Sequence, residues 1–230
     1  MALLDIDIVI PTKEQKINQD LLRVIKGHKI VIETSSPLSL ARKKGALKCD
    51  AEWVAMFDDD VTIPDDWFST VSKHINDGVG AIATEDEDMV SPYGAYKRLL
   101  MKLGIFRGST QTNIRNVLIR KSVFKTYDPP PLFLLEDNIL KKHVESLGLK
   151  WINLPFIGVR HYGYPKYDYA ESGRNAYRYQ IYSTSQLLKR FISRLFLSPL
   201  TIFTGNSLSK AWFLIRSELL FTYGFLSERF

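Results

Sequence analysis

"ARKKGALKCDAEWVAMFDDDVTIPDDWF", residues 41–68, joins a basic helix-forming run to a hydrophobic strand that ends in three aspartates. Ser36-Pro37 is a helix-start pair, and the spacing behind it predicts a helix to about Cys49. Residues 52–57 then read as a buried strand. In extended chain alternate residues point the same way, so Asp58 and Asp60 share one face while Asp59 points elsewhere. At the C-terminal end of a strand in an α/β sheet, that face looks into the crevice where ligands bind. Two carboxylates converging there are hard oxygen ligands suited to Mg²⁺ or Mn²⁺, which share their coordination with substrate phosphates. The competing reading is a solvated loop that caps the next helix. Asp65 and Asp66, behind Pro64, fit that role at the positive end of a helix dipole. The triplet, directly behind a buried strand, fits it poorly.

Outward from this stretch the pattern alternates. "DIDIVIPT" (5–12) is a β-branched strand stopped by Pro11, residues 14–27 have helical spacing and end on glycine, and "HKIVIET" (28–34) is a second strand. A helix opens at Pro64, and "GVGAIAT" (78–84) is a further strand. This β-α-β-α-β-α-β order implies an α/β layer with a mixed, mostly parallel sheet. Beyond it, residues 85–94 read as a polar loop, 113–120 as a strand, 127–133 as rigid non-helical chain, 136–149 as an amphipathic helix with acids at its start, and 150–155 as a last strand. Residues 162–182 are tyrosine-rich.

The composition, 45% hydrophobic and 24% charged over 230 residues, is that of a globular chain with one sizeable core and an appendage. The one cysteine, Cys49, excludes an internal disulfide framework and fits a reducing compartment. "MALLDIDIVIPT" lacks the basic n-region of a secretory signal. The net charge of +6 is unevenly placed: residues 160–230 hold ten Lys/Arg against four acids, while residues 1–159 balance. That map speaks against a nucleic-acid groove through the main domain. The basic segment is rich in Leu, Phe and Trp, with its apolar runs broken by Arg190, Arg194, Pro199, Arg216 and Glu218, so neither run reaches the length of a membrane span. Two readings fit it: helices lying in an anionic membrane interface, or helices packed on the protein's own core. The expected division is 1–165 as the catalytic domain and 166–230 as a membrane-associating segment.

Two enzyme classes present D-x-D after a hydrophobic strand. "DDDVT" matches the D-x-D-x-[T/V] of haloacid-dehalogenase-like phosphatases, in which Asp58 would be a covalent phosphoryl acceptor. That class places its nucleophile on the first strand, whereas two strands precede this one. More of the chain resembles the family-2 glycosyltransferases with the GT-A fold: "DIVIPT", "KIVIE", "ARKKG", the strand into "DDD", "NVLIRKSVF" (116–124), "LLED" and "VRHYG" (159–163), in order over residues 5–163. The resemblance extends to the dolichyl-phosphate mannosyltransferases.

The resemblance implies transfer of a sugar, mannose or glucose, from a GDP- or UDP-linked donor, with inversion and with Mn²⁺ or Mg²⁺ as cofactor. Asp58 and Asp60 become the metal pair under the diphosphate, and His161 a third metal ligand. Thr12 and Glu33 fall where the nucleobase and ribose are held, Glu33 replacing the commoner aspartate. Arg42 falls on a nucleotide-contacting arginine, and Glu14 on the acid that closes the first motif. Asp137, preceded by Glu136 on the substrate side, takes the place of the catalytic base, although first-turn acids also cap helices. A lipid-phosphate acceptor needs no base, so the acidic pair favours a hydroxyl acceptor on a lipid-linked glycan. The implied location is the cytoplasmic face of a membrane. A non-catalytic, membrane-bound GT-A-like scaffold is the alternative outside enzymology.

Overall fold

The computed structural model describes residues 5–14, 16–104, 112–132, 135–163, 168–204 and 206–228. In chain order these form β1 (Ile6–Pro11), α1 (Gln19–Val24), β2 (Ile30–Glu33), α2 (Leu38–Lys48), β3 (Trp53–Phe57), β4 (Val61–Thr62), α3 (Trp67–Ser72) and β5 (Val79–Asp88). There follow α4 (Pro92–Lys102), β6 (Asn116–Arg120), α5 (Val123–Thr126), α6 (Glu136–Ser146) and β7 (Lys150–His161). The chain closes with α7 (Tyr169–Arg178), α8 (Thr184–Leu197), a 3₁₀ turn at Pro199–Thr204 and α9 (Leu208–Ser227). Two compact units divide it: Met1–Glu87 with Ser109–Tyr162, and Asp88–Gly108 with Gly163–Phe230.

The first unit is built on one seven-stranded sheet in the order β2-β1-β3-β6-β5-β7-β4. β1 pairs in parallel with β2 and β3, while β6 runs antiparallel to both β3 and β5. Four strands therefore share one direction, and β6 is the reversed strand among them. This is the mixed, mostly parallel α/β sheet that the alternation implied. Period-two side-chain alternation divides the core between the two faces. Ile6, Ile8, Ile10, Trp53, Ala55 and Phe57 pack on one side with Leu21, Ile25 and Trp67. Val9, Val54 and Met56 pack on the other with Ala46, Leu140 and Val144, from α2 and α6. Continuing the count 54, 56, 58, 60 carries the face of α2 and α6 past the end of β3. That is why Asp58 meets Arg42 of α2, whose other terminal nitrogen binds Glu136 of α6.

Several boundaries differ from the expectation. The helix expected over 14–27 is only α1, because the Asn18 N–H donates to the Asp59 carbonyl (2.8 Å) and its side chain caps Asp20 N. The strand after Gly78 runs to Asp88, through residues read as a polar loop. Directly after it Ser91 caps α4, with Pro92 at the first helical position, whereas at Ser36-Pro37 the proline itself is the N-cap of α2 and no side chain caps it. The last strand of the sheet runs to His161 rather than 155, because its end pairs antiparallel with β4: Val61 opposite His161 and Thr62 opposite Arg160.

In the second unit, α7 and α9 approach glycine to glycine. A Cβ on Gly173 would collide with the Phe221 carbonyl, and one on Gly224 with the Ala170 carbonyl. Arg190 lies 4.0 Å over the Phe221 ring and pairs with the buried Glu218 at 2.9 Å. Arg194 lies 3.8 Å over the Tyr96 ring. These two cations, which interrupt the apolar runs in the sequence, are turned onto the unit's own aromatic residues. Among the described residues, no helix is long and apolar enough to cross a membrane. Gly173→Ala and Gly224→Ala are each expected to cost about 1–3 kcal/mol by forcing the helices apart. Thermal denaturation followed by circular dichroism checks this, and an unchanged transition in both variants would refute the close crossing.

Candidate active site

Asp58 follows β3 directly, its N–H donating to the Arg115 carbonyl at 3.1 Å. Its carboxylate accepts from Arg42 Nη2 at 2.5 Å, and the other end of the same guanidinium binds Glu136. Arg42 is 2% exposed although it stands in an "RKK" run, because the α2 face of Ala41, Arg42, Gly45 and Ala46 is the face turned to the sheet. Glu136 is also buried. It opens α6 behind Leu135, whose φ of 68° lies in the left-handed region that costs a branched residue about 1–3 kcal/mol. Backbone strain at the start of a helix thus sits beside the two acids of its first turn.

The second cluster is made by the β4–β7 pairing. It places His161 Nε2 3.3 Å from Asp60 Oδ1, with the Tyr162 N–H on the Asp60 carbonyl at 3.0 Å. Ligand atoms of Asp58, Asp60 and His161 all lie within 4.8 Å of one another. Behind the histidine stands Arg115, with Nη1 3.0 Å from His161 Nδ1 and with Nε and Nη2 on Asp86 at 3.0 and 3.2 Å. Burial pushes the Asp60 carboxyl up, but the His161 ring and the Arg115 charge outweigh it and hold the group below its usual range. Asp59 goes the other way: burial, with the charges of Asp60 and Asp58, raises it against the pull of the Thr12 side chain. Asp137 is raised by burial, opposed by Asn138 and by the charges of Arg115 and Arg42. Its Oδ1 accepts from Asn138 N and Nδ2, each at 2.9 Å.

The donor set fits a divalent cation. Among the described residues, Asp60 Oδ1 is buried and has His161 Nε2 at 3.3 Å without a hydrogen bond of good geometry, a costly state for a carboxylate oxygen. Two carboxylates with one imidazole suit Mn²⁺ or Mg²⁺ in type. Beside the triplet a cavity of about 190 Å³ is lined by Pro11, Thr12, Lys13, Ser35, Leu38, Ala41 and Asp59.

Of the residues singled out in the sequence, Asp58, Asp60 and His161 meet in one cluster, and Arg42 ties Asp58 to Glu136. Asp137 lies within electrostatic reach of both arginines, and Thr12 lines the cavity. Glu33 is buried and engaged by Lys48 Nζ at 2.6 Å and by Ser35 N and Oγ at 3.0 and 2.6 Å. Glu14 is exposed and does not line the cavity. Sequence reasoning missed Arg115 and Asp86. Their signals were an arginine at the head of a strand and the acidic run 85–88, neither of which names its partner.

No protein-family model and no curated protein matches the chain. Among solved structures it is similar to a mannosyltransferase from Pyrobaculum calidifontis in complex with GDP-Man and Mn²⁺. The TM-score is 0.55 at 12% identity, over 98% of this chain and 87% of that one. It is also similar to glucosyl-3-phosphoglycerate synthase from Mycobacterium tuberculosis in complex with Mn²⁺, UDP and phosphoglyceric acid. There the TM-score is 0.49 at 13% identity, over 90% and 80% of the two chains. The fold is of the GT-A type.

Glu33, which accepts hydrogen bonds from the cavity-lining Ser35, supplies a pH test. Burial raises its carboxyl, but Lys48 and Ser35 together bring it from 4.5 down to about 2. A carboxyl depressed on folding contributes stability that is full above its unfolded pKa and is lost as pH falls through its folded one. The stability margin of wild type over Lys48→Met is therefore expected to be constant above about pH 4.5 and to shrink as pH falls toward about 2. Melting temperatures over that range check it, and a margin that does not change with pH would refute it.

Proposed function

We propose that the protein is a metal-dependent, inverting glycosyltransferase of the family-2 kind. It moves a sugar, mannose or glucose, from a GDP- or UDP-linked donor to a hydroxyl on a membrane-associated lipid or lipid-linked glycan. The observation that carries this reading is the convergence of Asp58, Asp60 and His161 at the end of β3 in a GT-A-type sheet, beside a cavity. The mannosyltransferase of the same fold was solved with GDP-Man and Mn²⁺, which supports the choice of donor and metal.

In this reading Asp58, Asp60 and His161 would hold Mn²⁺ or Mg²⁺, whose charge would neutralise that of the departing diphosphate. Arg42 keeps the Asp58 carboxylate aimed, being bonded on its other side to Glu136. Thr12 and the neighbouring cavity wall receive the nucleoside. The acceptor oxygen attacks the anomeric carbon as the bond to the diphosphate oxygen breaks, and that oxygen keeps the electron pair. Asp137 takes the acceptor's proton. Burial raises this carboxyl above the ordinary aspartate range, which strengthens it as a base.

The acceptor's location rests on the second unit. Leu188, Ile192, Leu195 and Phe196 recur at helical spacing on α8 and are exposed, as are Leu208, Trp212, Leu219 and Tyr223 on α9. Phe203, in the 3₁₀ turn between them, is 81% exposed. Apolar stripes of this kind, on a segment with an excess of cations, suit the surface of an anionic bilayer on the cytoplasmic side.

Mn²⁺-dependent turnover of nucleotide sugars, screened over GDP- and UDP-linked donors, is expected in wild type and absent in Asp60→Asn. Asp137→Asn is expected to slow transfer about 10²–10⁴-fold while donor binding persists. The acid limb of the wild-type rate profile is expected above the ordinary aspartate range, with activity falling as Asp137 protonates. Hydrolysis of a simple phosphate ester that survives Asp137→Ala but not Asp58→Asn would replace this reading with a phosphatase. Co-sedimentation with anionic vesicles is expected to weaken in Phe203→Glu and Trp212→Glu. Equal pelleting of both variants and wild type would remove the membrane from the proposal.

A further inference from the structure

Asp58 and Asp60 turn to the metal cluster, and Asp59 between them lines the neighbouring cavity of about 190 Å³. The Asn18 N–H on its carbonyl, at 2.8 Å, anchors its backbone there. Pro11, Leu38 and Ala41 give the cavity apolar walls, and Thr12, Lys13, Ser35 and Asp59 supply its polar side chains. Thr12 is 5% exposed, yet among the described residues its hydroxyl makes no hydrogen bond of good geometry, a state that a bound polar group would relieve. Ser35 Oγ donates its proton to Glu33 at 2.6 Å and accepts from Lys44 Nζ at 3.2 Å, so a lone pair is what it has left for a ligand. The slot between the apolar walls therefore presents two acceptor groups, Asp59 and Ser35, with a hydroxyl and one cation. Such a lining suits a flat ring whose edge is rich in N–H donors.

We propose that Asp59 reads the nucleobase and selects guanine over uracil, so that the donor is a GDP-linked sugar. The guanine edge carries N1–H and N2–H₂ side by side, beside the O6 carbonyl. A carboxylate takes such an adjacent pair of donors in two parallel hydrogen bonds, as it takes a guanidinium. The uracil edge sets a single N–H between two carbonyls, so a carboxylate facing it gains one bond and meets an oxygen lone pair. Adenine and cytosine each put a ring acceptor beside their amino group, with the same result. Lys13, also on the cavity, is a donor of the kind that O6 needs. Resting on the nucleotide-sugar reading of the site, this assignment narrows the donor from two nucleotides to one and gives the middle aspartate a role separate from the metal.

The test measures binding of GDP, UDP, inosine diphosphate and xanthosine diphosphate to the full chain by titration calorimetry, all at one Mn²⁺ concentration. Ratios between the four cancel any effect on the metal, because they share the same diphosphate. Wild type is expected to bind GDP about 10- to 100-fold more tightly than UDP, the discrimination that one bidentate contact to a base supplies. Inosine diphosphate lacks only the N2 amino group and is expected to bind about 10-fold more weakly than GDP. Asp59→Asn presents one acceptor and one donor, which match the adjacent N–H and carbonyl of xanthine and of uracil. That variant is expected to lose affinity for GDP and to gain it for xanthosine diphosphate and UDP, a gain that misfolding cannot produce. Wild type that binds UDP as tightly as GDP, or inosine diphosphate as tightly as GDP, overturns the proposal whether or not the variant folds. So does a folded Asp59→Asn protein with the wild-type order of preference. Those results leave the glycosyltransferase reading standing. Failure of wild type to bind any of the four, with or without Mn²⁺, removes that reading and the guanine assignment together.

Discussion

The buried guanidinium of Arg42 is the contact on which the candidate site depends. It joins Asp58 at the end of β3 to Glu136 at the start of α6, 94 residues further along than Arg42 itself. A charge this deep is costly to desolvate, and the two carboxylates bound to its terminal nitrogens offset that cost. Removing the arginine leaves the buried Glu136 carboxylate and Asp58 without their shared counter-charge, a change worth about 3–5 kcal/mol in comparable cases. Three elements are thereby tied at one point: the helix that supplies the arginine, the strand that ends in the acids, and the helix that carries Asp137. The strained backbone of Leu135 belongs to the same knot, since it sets where the first turn of α6 begins.

Around that knot the charges do not cancel. Asp58, Asp59, Asp60, Asp86, Glu136 and Asp137 stand against Arg42 and Arg115, and the carboxyls respond in opposite directions. Asp60, beside His161 and Arg115, is held below the usual range, whereas Asp59 and Asp137 are pushed above it, burial being the largest influence. Neighbouring acids driven apart in this way can serve different roles, a lowered one as a ligand and a raised one as a base. An excess of negative charge in a partly buried crevice is itself an attraction for a divalent cation.

Much of the sheet was legible because it rests on local rules. The alternation of β1 and β3, the punctuation by Pro11, Gly27 and Pro64, and the acids at the start of α6 each reflect backbone geometry within a few residues. Where such rules conflict with a long-range bond, they failed. Spacing favoured helix from residue 14, but the Asn18 N–H is taken by Asp59 and α1 starts only after it. Acidic composition favoured a loop over 85–94, yet Thr84 and Asn113 bond across from the strand and β5 continues to Asp88. The two-residue β4 is too short to leave any periodicity, although its pairing is what brings His161 to Asp60.

The sequence by itself determined that two carboxylates leave a buried strand on a common face, because period-two geometry is a property of extended chain. It also determined that an acidic pair opens the α6 helix and that cations gather toward the C-terminus. Only the tertiary structure decided what those groups meet. Arg42, in a run that composition assigns equally to solvent, is buried between two carboxylates. Arg190 and Arg194 cover aromatic rings of their own unit. Arg115, one of several arginines in the chain, faces Nδ1 of a histidine 46 residues away. Charge and hydrogen-bond energies depend on distance and burial, and neither can be read from residue order when the partners arrive on different elements.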